Sequence, residues 1–194
     1  MSRHPVMVRQ VCPLLPQDPQ ESPDLLLSAE FVWREAGILE LSYNLRPAQR
    51  DGDLFAVSLP SIEPVSVPMH GDRRDELWKQ SCFEAFIGVP GSQQYWELNV
   101  SPLGHWNLYS FERYRHSGSG LVEALPPSVT VRQTRWDCRC DVVLDLRPWW
   151  PIKGMPELGL TMVVEEITGR LSYWALSHPG DAADFHDRRS FLIC

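Results

Sequence analysis

The chain has 194 residues, 43% of them hydrophobic and 22% charged, with a formal net charge of −7. That balance suits a soluble globular protein with a sizeable core, and residues 1–194 are expected to form one domain. The acidic excess and the lack of a basic patch argue against nucleic acid as a partner, and no run approaches the ~18 apolar residues of a membrane span.

The amino-terminal stretch MSRHPVMVRQVCPLLPQDPQ has no apolar core of the kind a secretory leader carries. Residues 1–24 read as an edge strand or an irregular lead-in draped over the surface. Five scattered cysteines, an odd number with no second close pair, point to free buried thiols in a reducing compartment, and hence to a cytoplasmic location, rather than to a zinc site.

Beyond the lead-in, runs with period-two alternation recur. They predict strands over Leu25–Trp33, Ile38–Leu45, Leu54–Leu59, Cys82–Ile87, Tyr95–Val100 and Trp106–Phe111. In the second half they predict strands over Val129–Trp136, Cys138–Leu146, Leu158–Glu166, Leu171–Ser177 and Ser190–Ile193. Proline and glycine clusters punctuate them at 60–68, 89–91, 117–120, 126–127 and 168–169. Glu166–Arg170 reads as a tight hairpin. Helical signal is confined to a turn or two over Asp72–Gln80 and a start at Arg147–Trp150 that prolines close on both sides. The expected fold is all-β: an antiparallel β-sandwich, jelly-roll-like, with a few short helical turns.

Cys82–Ile87 and Tyr95–Val100 carry the most information. Phe83, Ala85 and Ile87 share one face with Trp96, Leu98 and Val100. Cys82, Glu84 and Phe86 share the other with Tyr95, Glu97 and Asn99. Pairing apolar with apolar sets Phe83 against Leu98, Ala85 against Trp96, and Glu84 against Glu97. Two opposed carboxylates repel, which a purely structural sheet gains nothing from, so Glu84, Glu97 and Asn99 form a candidate surface for the hydroxyls of a small ligand. Arg73, Arg74, Lys79 or a bound Ca²⁺ would supply the compensating charge. Direct pairing would bring the carboxyls nearer than the ~5 Å of a retaining glycosidase, which argues against hydrolysis.

Trp is frequent, with 8 copies. Trp78, Trp106 and Trp174 are the candidate stacking platforms, weighed against ordinary core packing. His178 and His186 lie in a polar stretch with Asp181 and Asp184 that reads as a long loop, where binding residues concentrate. Its spacing matches no metal motif. No nucleophile elbow, phosphate loop, dinucleotide fingerprint or HExxH occurs, which favours a binding module over an enzyme.

The segments DELWKQSCFEAFIG, YWELNVSPLGHWNLYSFERYR and LGLTMVVEEITGRLSYWALSHPGDAADFH resemble the DOMON-like domains related to family 9 carbohydrate-binding modules. The likeness runs from about Leu39 to the carboxyl end, and the pattern that carries it is a Trp/Glu strand followed by a Tyr/Glu/Asn-x-Ser-Pro-x-Gly strand. It implies a β-sandwich that binds sugars or haem. In the sugar-binding members two Trp clamp the ligand, and nearby Ca²⁺ sites are structural. Carried over, Trp78 and Trp174 would be the clamp, and Glu84, Glu97 and Asn99 the hydroxyl partners. A haem-binding relative would use a Met and a His, for which Met69, Met162, His178 and His186 are available. Carbohydrate-binding modules of that kind are secreted and joined to a catalytic domain, a context this sequence does not reproduce. The expected role is thus non-catalytic binding of a small carbohydrate-like ligand. A haem or redox module, and a protein-interaction domain that docks through its sheet face, are the alternatives.

Overall fold

The computed structural model describes residues 4–49, 52, 54, 56–59, 68–69, 71–121 and 124–192. It is an all-β antiparallel sandwich. One sheet runs β4(Pro68–Met69), β9(Ser128–Gln133), β10(Cys138–Asp145), β3(Ile38–Pro47), β2(Leu25–Arg34) and β1(Val6–Pro16). The other runs β12(Leu171–Ala175), β11(Glu157–Glu165), β5(Cys82–Gly88), β6(Tyr95–Val100), β7(Trp106–Arg113) and β8(His116–Leu121). Among the described residues no helix is long and apolar enough to cross a membrane.

Alternation explains the first sheet. Leu27, Ala29, Phe31 and Trp33 of β2 face Leu45, Tyr43, Leu41 and Leu39 of β3. Those β3 residues in turn face Cys138, Cys140, Val142 and Leu144 of β10. All are buried in a core shared with Phe83, Ala85, Ile87, Trp96, Leu98 and Val100 from the second sheet. Trp96 closes one end of that core against Trp149 and Trp150, with ring centroids 4.9 and 5.8 Å away.

Several expectations need correction. The amino-terminal stretch is an edge strand over residues 6–14, as expected, but it does not end there. β1 pairs with β2 along most of its length, and then Leu15 and Pro16 pair with Ala175 and Trp174 of β12. It therefore stitches the two sheets together, because Cys12 and Leu14 supply buried positions that a draped segment would leave in water. Leu54–Leu59 forms no strand among its described residues. Its amides close local turns, Val57 to the Leu54 carbonyl and Leu59 to the Val57 carbonyl, and Val57 makes one isolated bridge to Glu166. Ser190–Ile193 is likewise reduced to a bridge between Leu192 and Leu158 behind a 3-10 turn at Arg188–Ser190, whose start Asp187 caps by accepting from the Arg189 amide; Ile193 lies outside the described residues. The stretch 117–120, expected as a turn, belongs to β8, and the reversal falls earlier, at Tyr114–Arg115, where Arg115 has φ 51°. The hairpin at Glu166–Arg170 and the 3-10 turn at Leu77–Lys79 lie where the sequence puts them.

The register between β5 and β6 differs from the expected one by two residues. Phe83 faces Val100, Glu84 faces Asn99, Ala85 faces Leu98 and Phe86 faces Glu97. Val89 is buried and its amide still bonds the Gln94 carbonyl, at 3.0 Å, so pairing continues one step past the strand end. The reversal is left to Pro90, which has no amide hydrogen, and to Gly91, whose φ of 71° suits glycine. A shift of two preserves which residues share a face but changes which of them are opposite.

Every residue of β5 and β6 is buried, on both faces. The outward face is covered by the segment after β12, which lays Phe185, His186 and Phe191 over Phe86. Gly159 makes room for this cover, because a Cβ there would sit 2.6 Å from the Phe191 ring.

Candidate functional site

Under that cover lies a cavity of about 410 Å³, within the size range of small-molecule sites. Its floor is the outward face of the second sheet: Val163 from β11, Glu84 and Phe86 from β5, Glu97 from β6, and Tyr109 and Phe111 from β7. Trp78 stands on one wall, edge-on to Tyr109 with centroids 5.6 Å apart. Tyr173 from β12, with Phe185 edge-on to it at 6.0 Å, and His186 form the opposing cover. Arg115 completes the lining.

The strand pairing sets the acids in adjacent rows. Glu84 shares a row with Thr161 and Asn99, and Glu97 shares the next with Phe86 and Tyr109. They are diagonal neighbours and not the directly opposed pair expected, so the objection to a hydrolytic pair on grounds of too close an approach loses its basis. Asn99 bridges the arrangement by donating from Nδ2 to Glu97 Oε1 at 2.8 Å. Thr161 donates to Glu84 Oε2 at 3.3 Å. Glu84 is only 2% exposed, and its Oε1 has no hydrogen-bond partner.

Burial, followed by the charge of Glu97, holds the Glu84 carboxyl well above the usual carboxylate range, against the hydrogen bond from Thr161; the Cys82 thiol is directed to the Phe83 carbonyl and Asn99 Oδ1. Burial raises Glu97 too, opposed by the Asn99 hydrogen bond and by Arg115. The compensating cation is Arg115 and none of the expected three. Arg74 pairs with Asp72 and Lys79 with Glu76, while the Arg73 guanidinium donates to Asn107 and lies 4.8 Å over Trp106. Arg115 is itself paired with Asp184 at 2.8 Å.

His186 is held by the Tyr95 hydroxyl at 2.8 Å from Nδ1. That hydroxyl also accepts from the Arg115 amide at 3.0 Å, which ties the ring to the turn before β8. Nε2 lies 3.7 Å from Glu97 Oε2. Burial and then the Arg115 charge hold the imidazole down at about 4, so this is a contact of a neutral ring with a carboxyl, not an ion pair.

The structure thus brings together Trp78, Glu84, Glu97, Asn99 and His186. It places the others elsewhere. Trp106 and Trp174 are buried on the inner face, in the shared core. Strand parity is the reason: Trp174 points inward and its neighbour Tyr173 outward, so Tyr173 stands where a second clamp residue was sought. His178 bonds the Leu15 carbonyl at 2.9 Å, away from the cavity. Met162 is also in the core, so it does not converge with His186, and the Met69 side chain is outside the described residues. Among the described residues no group of three His, Cys, Asp or Glu side chains is arranged to hold a metal ion. Sequence reasoning missed Tyr109, Arg115, Tyr173 and Phe185. Parity alone gives Tyr109 and Tyr173 once the inward residues of β7 and β12 are fixed; Arg115 and Phe185 lie in a turn and a loop, where no periodicity speaks.

No protein-family model matches this chain, and no curated protein matches it in sequence. Among solved structures it is similar to a candidate carbohydrate-binding protein from Bacteroides uniformis, at 12% identity and a TM-score of 0.52, over 94% of this chain and 84% of that one. At that identity the likeness is one of fold.

Proposed function

We propose that this protein is a non-catalytic binding module of the DOMON-like, carbohydrate-binding type, and that its ligand is a saccharide or sugar derivative held in the cavity over β5, β6 and β7. The observation that carries the reading is the buried Glu84 carboxyl, which lines the cavity with one oxygen lacking a partner. A buried acceptor left open costs about 1–3 kcal/mol unless something fills it, and a hydroxyl-bearing ligand would. Glu97 offers a second acceptor beside it. Trp78, 38% exposed, and Tyr109 present flat rings on which the C–H face of a sugar packs. The shared sandwich architecture with a candidate carbohydrate-binding protein supports the same class.

The test is a titration of the whole chain with a panel of mono- and disaccharides, followed by Trp fluorescence. A saturable change that disappears in Trp78→Phe and weakens about tenfold in Glu97→Gln is expected for loss of one charge-assisted hydrogen bond. A flat response across the panel would remove the saccharide reading.

A further inference from the structure

Glu84 Oε1 is an open acceptor in this cavity, and His186 Nε2 stands by the other acid, 3.7 Å from Glu97 Oε2. Donors that reach the two acids are already committed: Asn99 Nδ2 to Glu97, the Thr161 hydroxyl to Glu84. The Tyr109 hydroxyl is spent on Asp75 at 2.9 Å, and the Tyr95 hydroxyl on His186. Arg115 is engaged by Asp184 and by the Tyr114 hydroxyl. What stays unfilled is the acceptor on Glu84, with Glu97 as its neighbour, and Arg115, the cation that acts on Glu97, is shared with Asp184.

A neutral hydroxyl is an imperfect complement to such a surface, since it brings lone pairs as well as a proton. A protonated amine brings three donors, no acceptor and a positive charge. The walls point the same way. Trp78, Tyr109, Tyr173 and Phe185 stand around the acids, and aromatic faces around an acidic floor are a known setting for cations.

We infer that the ligand carries a protonated amine seated against Glu84 and Glu97 inside this aromatic wall, so that within the sugar class proposed above the site selects amino sugars over neutral ones. The inference rests on that reading and narrows it. Seating the ammonium favours release to solvent of the proton that burial and Glu97 hold on Glu84, and leaves two carboxylates bridged by one positive charge.

The experiment uses the whole chain and three matched pairs, glucose with glucosamine, galactose with galactosamine, and mannose with mannosamine, with N-acetylglucosamine as the neutral amide control. Binding is measured by calorimetry near neutral pH. At least one amine is expected to bind about tenfold more tightly than its parent sugar, and glucosamine to exceed N-acetylglucosamine, the margin that one desolvated cation–carboxylate and cation–π contact supplies. In Glu84→Gln and in Glu97→Gln the ratio of amine to parent-sugar affinity should shrink to about twofold or less, whatever the loss in overall affinity. Sugars that bind with no amine preference in any pair overturn this inference and leave the saccharide reading standing. If neither sugars nor amines bind, both fall.

Discussion

The two faces of β5 and β6 are equally buried and chemically opposite. Inward, Phe83, Ala85, Ile87, Trp96, Leu98 and Val100 pack in the apolar core, where the Tyr43 hydroxyl is bonded to the Glu84 carbonyl and the Trp149 indole N–H against Trp96 is left without a partner. Outward, Cys82, Glu84, Phe86, Tyr95, Glu97 and Asn99 are covered just as well, yet one carboxyl oxygen has no partner and two acids share a small volume. Burial alone therefore does not distinguish a core from a site. The distinction lies in whether the buried groups satisfy one another. The inner face is built almost wholly of apolar groups that fill one another's space, whereas the outer face buries carboxyls that do not satisfy one another.

The largest effect that would sharpen this contrast is expected on the inner side. Phe83 is fully buried, with its ring 5.4 Å from Tyr43. Phe83→Ala should destabilise the fold by about 3–5 kcal/mol, read as a lowered urea midpoint at unchanged slope. A loss below about 1 kcal/mol would mean that the inner layer is loosely packed and the contrast overstated.

The next effect belongs to the outer side and depends on pH. The folded protein holds His186 at about 4, whereas an unfolded histidine titrates near 6.5. Between those values the unfolded chain binds a proton that the folded one refuses, so stability falls as pH drops through this window, by up to about 3 kcal/mol. The groups facing the ring are Tyr95, Glu97, Arg115 and Asp184. His186→Gln should flatten the fall in this window relative to the parent. Parallel stability curves for the two proteins would show that the imidazole is not shut away from water as described.

The sequence made face membership readable, because parity follows from alternation of apolar and polar residues, and Phe83, Glu84, Trp96 and Glu97 all lie on the faces it assigns. It did not fix which residues are opposite. That depended on Val89 staying paired and on Pro90 and Gly91 taking the reversal, a competition between two turns that differ by one residue in position. Trp174 shows the limit from another side. Size and stacking potential suggest a platform, but on β12 the inward parity belongs to Trp174 and the outward one to Tyr173. The cover over the cavity was least legible. Phe185, His186 and Phe191 lie in irregular chain, and their docking on Phe86 depends on the bare backbone of Gly159, a relation between distant residues that no local pattern records.

The smallest effect carries the sharpest sign. Glu84 sits next to Phe83 in sequence and is as deeply buried, so truncation logic would expect any change there to weaken the protein. Glu84→Gln should do the reverse. Gln has the same shape, keeps an oxygen to accept from Thr161, and cannot ionise. Burial and Glu97 raise the carboxyl's affinity for its proton in the folded state, so above the unfolded value of about 4.3 the folded chain holds a proton that the unfolded chain has released, and stability declines as pH rises. The variant escapes that decline. Its gain should be about 1 kcal/mol near neutral pH and vanish towards about pH 4, where the acid is protonated in both states. Urea denaturation of parent and variant at the two pH values measures it. If Glu84→Gln instead weakened the fold near neutral pH, the carboxylate would be charged and fully partnered in the native state. The outer face would then be as self-sufficient as the inner one, with no vacancy for a ligand to fill.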